Sequence, residues 1–270
     1  MSKAFLAPGE IAEATIATGV KKANHSTINM LILGILAGLF ISFGGHADIT
    51  IMQTFSGIDT GVTKFLGGAV FPVGLLLVVV AGGELFTGNC LMTMALADKK
   101  IKLNQMLKNW GLVYLGNFIG SIVFAACMVY VGAYKSGSPM AETAFSIATG
   151  KMSASVAQII VKGIYANILV CLAVWLAYGA QDIASKTVAM WFPVMTFVML
   201  GFEHSIANMF FLPLAKFLGF EVSWAQMWLH NIIPATIGNI IGGAIIIPLL
   251  YYVVYILPQR KAEAKGEAKA

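Results

Sequence analysis

The sequence predicts an all-α polytopic membrane protein with six transmembrane helices, arranged as two inverted three-helix repeats in which spans two and five are broken. Three observations support this: the chain is strongly apolar, two hydrophobic segments are interrupted by glycine and ionisable residues, and the two halves share a pattern. Of 270 residues, 59% are hydrophobic and only 11% are charged, whereas soluble domains carry about 25% charged residues. The net charge of +5 is attributed to lysines that set membrane topology, and no nucleic-acid partner is expected.

The chain is expected to form a single transmembrane channel domain with four parts. Residues 1–27 predict an N-terminal interfacial helix, because Pro8 suits the start of a helix and small or apolar residues recur at helical spacing after it. Residues 28–134 form the first repeat and residues 156–257 the second. Residues 258–270 are charged and alanine-rich, and they predict a cytoplasmic tail.

The spans are placed on the apolar runs of the sequence. Gly34 and Gly38 provide a small-residue packing face on the first span. The segments 44–64 and 135–155 are interpreted as loops. The six predicted spans cover, in order, residues 28–43, 65–97, 110–134, 156–178, 188–217 and 228–257.

Two breaks, at residues 82–89 and 201–208, interrupt the second and fifth spans with similar sequences that contain Gly, Glu and Asn. Ionisable residues and irregular backbone at membrane depth are costly unless they line a cavity or have a partner. The breaks are therefore predicted to form the functional site, at the interface of the repeats near the membrane midplane. Glu84 and Glu203 are expected to accept backbone N–H groups within the breaks.

The sequence around Asn117 repeats around Asn239, since residues 115–120 align with residues 237–242. Asn29 is aligned loosely with Asn167. Both Asn117 and Asn239 are expected to bond backbone or a neighbouring helix. Three spans per repeat is an odd number, so the second repeat must be inverted. Most of the 17 Lys and Arg residues then lie on one side, which predicts cytoplasmic N and C termini.

His204 is the candidate for the central role. The unsatisfied N–H groups at the start of a half-helix favour an anion, and a histidine can donate a hydrogen bond to it or relay a proton. Thr87 either bonds His204 or caps a half-helix starting near residues 89–90. Asn167 and Asn208 could touch a permeating ion, and Lys151 could attract anions to the mouth of the site.

At these residues the sequence resembles the formate/nitrite transporter family, most specifically in residues 83–87, 166–175, 201–209 and 236–243. The resemblance covers almost the whole chain, and the chain looks most like the hydrosulfide-channel branch. It implies an aquaporin-like arrangement and a homopentamer in the inner (plasma) membrane with one pore per protomer. It also implies passage of formate, nitrite, hydrosulfide or chloride, or of their acids with protons, without a cofactor.

The resemblance also assigns roles to individual residues. It implies that His204 is the central pore histidine, that Thr87 is its partner, and that Asn167 and Lys151 are pore-associated. It places two hydrophobic constrictions along the pore, an outer one formed by Leu85 and Phe197 and an inner one formed by Leu75, Phe86 and Val170.

Two other classes of protein remain as alternatives. A neutral-solute pore of the aquaglyceroporin kind would resemble proteins with Asn-Pro-Ala boxes, and this sequence has none. A membrane-embedded enzyme would need a nucleophile–base pair or a metal cluster, but the chain offers neither HExxH nor GxSxG, and one midplane histidine. The sequence thus favours a transporter over an enzyme. It leaves open whether residues 1–27 form a pH-dependent gate.

Overall fold

In the computed structural model, which describes residues 5–55 and 57–267, the chain is almost entirely helical, so the all-α fold is confirmed. Within these residues, five helices are long and apolar enough to cross a bilayer, and three apolar helices are shorter. The number of crossings stays a prediction. In chain order the helices are α1 Pro8–Ala23, α2 Thr27–Phe55, α3 Thr60–Gly82, α4 Phe86–Ala97, α5 Leu103–Tyr130, α6 Pro139–Ser153, α7 Val156–Gly179, α8 Ile183–Met199, α9 Ser205–Phe217 and α10 Trp224–Gly266.

Two helix pairs, α2 with α5 and α7 with α10, pack closely through glycines. A Cβ atom added at Gly34 or Gly38 would collide with the backbone of α5, and one added at Gly120 would collide with the backbone of α2. A Cβ atom added at Gly238 or Gly242 of α10 would likewise collide with the backbone of α7. In a bilayer the hydrophobic effect does not drive helices together, so helix association depends on close packing. Glycine permits this packing because it has no side chain between the two backbones. The packing face predicted on the first span is therefore confirmed.

The two breaks begin at glycines with positive φ. Gly82 has φ +103° at the end of α3, and Gly201 has φ +65° just after α8, a conformation that favours glycine. Three residues follow each glycine before the next helix begins, at Phe86 in one break and at Ser205 in the other. The first half-helix thus starts earlier than predicted, and Thr87 lies in its first turn instead of capping a helix that begins at residues 89–90.

Helix α2 is longer than the sequence suggests. The segment 44–64 was predicted to be a loop, but α2 continues to residue 55, so His46 and Asp48 are helical. Gly44 and Gly45 favour a loop in the sequence. In the fold, these two glycines allow α3 and α9 to pack closely against α2. A Cβ atom at Gly44 would collide with the backbone of α3 at Phe71, and one at Gly45 would collide with the ring of Phe210 and contact that of Phe211 in α9.

The predicted loop 135–155 contains α6, which Ser138 caps by accepting a hydrogen bond from the N–H of Ala141. Helix α6 resembles α1 in position and sequence: each precedes a long apolar helix and carries a lysine in its last turn, Lys22 in α1 and Lys151 in α6. The two short helices thus share their position relative to a long helix and their C-terminal lysine, and the repeat boundaries at residues 28–134 and 156–257 stay a prediction. Residues 1–4 of the predicted N-terminal helix lie outside the described residues.

Arg260, in the predicted tail, connects α10 to α1. Its guanidinium group lies 3.0 and 3.1 Å from the carboxylate oxygens of Asp98 and 2.9 Å from Oε2 of Glu13. The Asp98 side chain is only 3% exposed. The predicted tail is thus helical up to the last residues described, and Arg260 fixes its start against the N-terminal helix.

Replacing Arg260 by glutamine should lower the stability of the folded protein by about 1–3 kcal/mol, because the nearly buried Asp98 carboxylate would lose its charged donor. Thermal unfolding in detergent measures this effect. Lys261→Gln is the matched control, since Lys261 is exposed on the next position of the same helix. Equal unfolding temperatures for the two variants would show that the Arg260 contacts contribute nothing.

Candidate functional site

A buried carboxylate lies in each break, and the first belongs to Glu84. Its Oε1 is 2.7 Å from Nζ of Lys22, and its Oε2 accepts a hydrogen bond of 2.6 Å from Nδ2 of Asn89. The same Asn89 amide donates to Oδ1 of Asn109 at 2.8 Å. A lysine from α1 and an asparagine from α4 thus contact this carboxylate, and an asparagine from α5 accepts from the α4 asparagine.

Glu203 repeats this arrangement in the second break. Its Oε2 is 3.2 Å from Nζ of Lys151 and accepts a hydrogen bond of 2.6 Å from Nδ2 of Asn208, which also donates to Oδ1 of Asn231 at 2.6 Å. The expectation that both glutamates accept backbone N–H groups is therefore wrong. Each glutamate instead forms an ion pair with a lysine. Because that lysine comes from a helix distant in sequence, the residues around the glutamate do not reveal the pairing.

Asn117 supplies the backbone contacts that the glutamates were expected to make. Its Oδ1 accepts from the N–H of Phe86 at 3.0 Å, and its Nδ2 donates to the carbonyls of Gly34 and Glu84 at 2.8 and 2.9 Å. The prediction that both repeated asparagines bond backbone is confirmed, since Asn239 makes the equivalent bonds to Ser205, Gly163 and Glu203.

These bonds fix how the two repeats correspond. Gly34 and Gly163 occupy equivalent positions, because each accepts from the repeated asparagine. Counting from this pair, the counterpart of Asn167 is Gly38 and not Asn29, so that alignment was wrong. Asn167 is fully buried and donates to the carbonyls of Thr87 and of residue 239 at 3.2 and 2.8 Å.

His204 joins the two breaks. Its Nδ1 accepts a hydrogen bond from the N–H of Ala207 at 3.1 Å and caps α9, and its Nε2 lies 2.8 Å from Oγ1 of Thr87. An Nδ1 atom that accepts an N–H carries no proton, so this geometry assigns the proton of a neutral imidazole to Nε2. The ring is 2% exposed, and its N–H points across the repeat interface to Thr87.

Two vestibules approach His204 from opposite directions. The Lys151 vestibule, of about 310 Å³, is lined by residues that include Lys64, Lys151, Lys162, Phe197 and His204. Its lysines outnumber its carboxylates, so its field favours anions.

The other cavity, the Lys22 vestibule, has a volume of about 280 Å³. Its lining includes Lys21, Lys22, His25 and Glu84. It is also basic in character, and the short helix α1 contributes its two lysines.

A small chamber of about 10 Å³ lies between the vestibules, and His204 is its polar side chain among apolar ones. Phe197 borders both the chamber and the Lys151 vestibule, whereas Leu75 and Leu85 border the chamber and the Lys22 vestibule. Leu75, Leu85 and Phe197 all line the chamber, and the division into an outer and an inner constriction stays a prediction. Val170 also lines the chamber.

Four of the predicted site residues are not part of the cavity linings. Among the described residues that line the chamber and the two vestibules, Thr87, Phe86, Asn167 and Asn208 do not occur. Thr87 contacts Nε2 of His204, and both asparagines bond buried groups of the breaks. Phe86 packs edge-on against the rings of Trp110 and Tyr114, at centroid distances of 5.7 and 4.9 Å, so it is a core residue.

Sequence reasoning missed other residues of the cavities. Phe71 borders the Lys151 vestibule and the chamber, and its ring is 5.9 Å from that of Phe197. Lys22 was counted only as a topology signal, and Asp48 was placed in a loop. The similarity of α1 to α6 could have revealed Lys22, because Lys151 was already a candidate.

This fold, with basic vestibules on either side of a narrow apolar chamber, defines a multi-pass membrane transport protein. Comparison with known proteins gives the particular family. The family model described as "Formate/nitrite transporter" matches residues 9–253. The chain belongs to the formate/nitrite transporter family, as the resemblance predicted.

Individual relatives agree with this assignment. The chain is 42% identical over 267 residues to the uncharacterised transporter YrhG of Bacillus subtilis (strain 168), covering 98% of each chain. It is 42% identical to the formate channel BtFdhC of Bacillus thuringiensis, covering 93% of this chain and 96% of that one. A solved structure described as a pentameric formate channel with formate bound superposes with a TM-score of 0.77 at 31% identity, over 85% of this chain and 98% of that one. The relatives are channels and transporters, so the protein is not an enzyme.

Proposed function

We propose that this chain is a channel for small monovalent anions of weak acids, formate foremost, and that it works as a homopentamer with one pathway in each protomer. The observation that carries the proposal is the His204–Thr87 pair, buried between two basic vestibules and bordered by apolar walls. The relative named as a formate channel at 42% identity supports formate as the anion. The solved pentameric formate channel supports the oligomeric state.

The vestibules and the chamber contribute in different ways to the passage of an anion. Lysines in either vestibule raise the local concentration of anions. The walls formed by Phe197 on one side and by Leu75 and Leu85 on the other reject hydrated ions. In the chamber, the Nε2–H of His204 offers the anion a hydrogen bond in place of water, at a site where an unpaired charge would be costly.

His204 acts in this proposal as a neutral hydrogen-bond donor and not as a proton relay. Protonation at Nδ1 would break its bond with the N–H of Ala207 and remove the cap of α9. Thr87 accepts the Nε2–H and so holds the ring in the tautomer that presents a donor, and an anion that enters the chamber replaces Thr87 as the acceptor of this N–H. The role of Thr87 is thus to position His204.

The proposal includes an orientation. The N and C termini lie in the cytoplasm and the protein resides in the plasma membrane, with six crossings formed by the five long helices and the α8–α9 pair. The Lys22 vestibule then opens to the cytoplasm and the Lys151 vestibule to the outside. The bias of Lys and Arg residues supports this orientation.

Flux into proteoliposomes tests the proposed function. Formate, nitrite and hydrosulfide are expected to pass at least tenfold faster than through protein-free vesicles, whereas glycerol should not pass faster than in those vesicles. A higher rate for hydrosulfide than for formate would assign the chain to the hydrosulfide branch. Passage of glycerol at the rate of the anions would favour a neutral-solute pore, and the absence of any anion flux would reject the channel.

A further inference from the structure

Asp48 is a buried carboxyl group that the proposed mechanism does not use. It lies on α2, is 4% exposed, and forms part of the lining of the Lys151 vestibule. Its Oδ1 is buried without a hydrogen-bond partner among the described residues. A Cβ atom at Gly67 would collide with this oxygen, so the absence of a side chain on α3 provides its space. A buried polar atom without a partner calls for an explanation.

The charged groups around Asp48 leave it without a direct partner. Lys64 from α3, Lys162 from α7 and Lys151 from α6 line the same vestibule, and Lys151 contacts Glu203 at 3.2 Å. No ion pair of Asp48 within 4.0 Å occurs in the part of the chain that the structure describes.

Three further titratable groups near Asp48 have partners of their own. Tyr134 lies just after the end of α5, and its hydroxyl oxygen is 2.7 Å from Nδ1 of His46. His204, which precedes α9, bonds Thr87 at its Nε2. The Asp48 carboxyl group therefore belongs to the vestibule lining without a side-chain partner among the described residues, and its Oδ1 is itself buried.

The second repeat has no carboxyl group at the position equivalent to Asp48. Counting from the equivalent pair Gly34 and Gly163, the counterpart of Asp48 is Ala177, which is buried. The lysines, glutamates and asparagines of the two breaks occur in both repeats, but this carboxyl group occurs only in the first. It therefore makes the Lys151 vestibule chemically different from the Lys22 vestibule.

We propose that Asp48 is a protonatable specificity residue of the Lys151 vestibule, which donates a hydrogen bond to the incoming anion when neutral and repels that anion when ionised. A carboxyl group can donate only in its protonated form, since the ionised form is an acceptor. Access of the anion from this vestibule therefore decreases as the pH on that side rises. The inference rests on the proposed function and extends it to regulation of one side of the pathway.

Asp48→Asn tests this, because asparagine has nearly the same shape, keeps a donor and cannot ionise. Formate flux into proteoliposomes is measured for both proteins over a pH series. The ratio of variant to wild-type flux should be near one at low pH and should rise about tenfold at high pH, which corresponds to about 1.4 kcal/mol. With the orientation read from a terminal tag, the rise should follow the pH on the Lys151 side.

Asp59→Asn is the matched control. Asp59 is exposed just after α2 and caps α3 by accepting from the N–H of Val62 at 2.8 Å. Asparagine caps a helix about as well as aspartate, so this variant removes the same charge without changing the vestibule. Its flux should follow that of wild type at every pH.

The outcomes separate this inference from the proposed function. A flux ratio for Asp48→Asn that stays constant with pH would overturn the inference, and so would an Asp59→Asn variant with the same pH response. Infrared difference spectra recorded on adding formate should also show a carboxyl C=O band that is lost in Asp48→Asn, and a band that persists would exclude Asp48. Wild type that passes no anion at any pH would reject the proposed function itself.

Discussion

Replacing His204 by alanine is expected to lower formate flux at every pH without changing the shape of its pH profile. The variant loses the Nε2–H, the donor that borders the apolar chamber. A hydrogen bond to a charged group is worth about 1.5–3 kcal/mol, so the flux should fall about tenfold to a hundredfold. The measurement is formate flux into proteoliposomes over a pH series.

His204→Asn serves as the partner variant. An asparagine can still cap α9 through its oxygen, as His204 does through Nδ1, and it keeps an N–H donor. We expect its flux to lie between those of His204→Ala and wild type. A changed pH profile in His204→Ala would favour a proton relay over a neutral donor, and unaltered flux would remove His204 from the pathway.

Replacing Asn239 by leucine is expected to destabilise the protein strongly. The side chain satisfies three buried backbone groups, the N–H of Ser205 and the carbonyls of Gly163 and Glu203. Each stranded group costs about 1–3 kcal/mol, and partners found in the unfolded chain reduce the sum, so we expect a loss of about 3–5 kcal/mol in total. Thermal unfolding in detergent and the yield of assembled protein measure it.

Asn117→Leu should have a similar effect, because it removes the equivalent bonds from the first break. Asn29→Leu is the control, since Asn29 is an exposed asparagine at the start of α2. Unfolding temperatures of Asn239→Leu and Asn117→Leu that match that of Asn29→Leu would mean that the breaks do not depend on these bonds.

Patterns within short stretches of sequence were reliable where the physics is local. The apolar composition predicted a membrane protein, and the glycine spacing at Gly34 and Gly38 predicted close helix packing. The repeated asparagines Asn117 and Asn239 were assigned to backbone bonding, which the structure confirms. Each of these predictions depends on the chemistry of a single segment: its hydrophobicity, its small residues or its polar groups at membrane depth.

The partners of the polar residues were harder to predict. Glu84 was expected to bond nearby backbone, but it binds Lys22 from α1, and Glu203 likewise binds Lys151. Phe86 was expected to line a constriction, but it packs against α5. Two adjacent residues of a break can face opposite ways, and the sequence does not say which one faces the cavity.

The sequence by itself determined the class of protein and the two breaks, and it singled out His204 as a candidate, because ionisable residues at membrane depth are costly unless they have a partner or line a cavity. Only the tertiary structure decided what each group does there. The bond from Nδ1 of His204 to the helix it caps, the pairing of each glutamate with a lysine from a short helix, and the position of Asp48 in one vestibule depend on contacts between distant segments. Those contacts are set by how the helices pack, since packing alone brings a donor from one repeat within reach of an acceptor in the other.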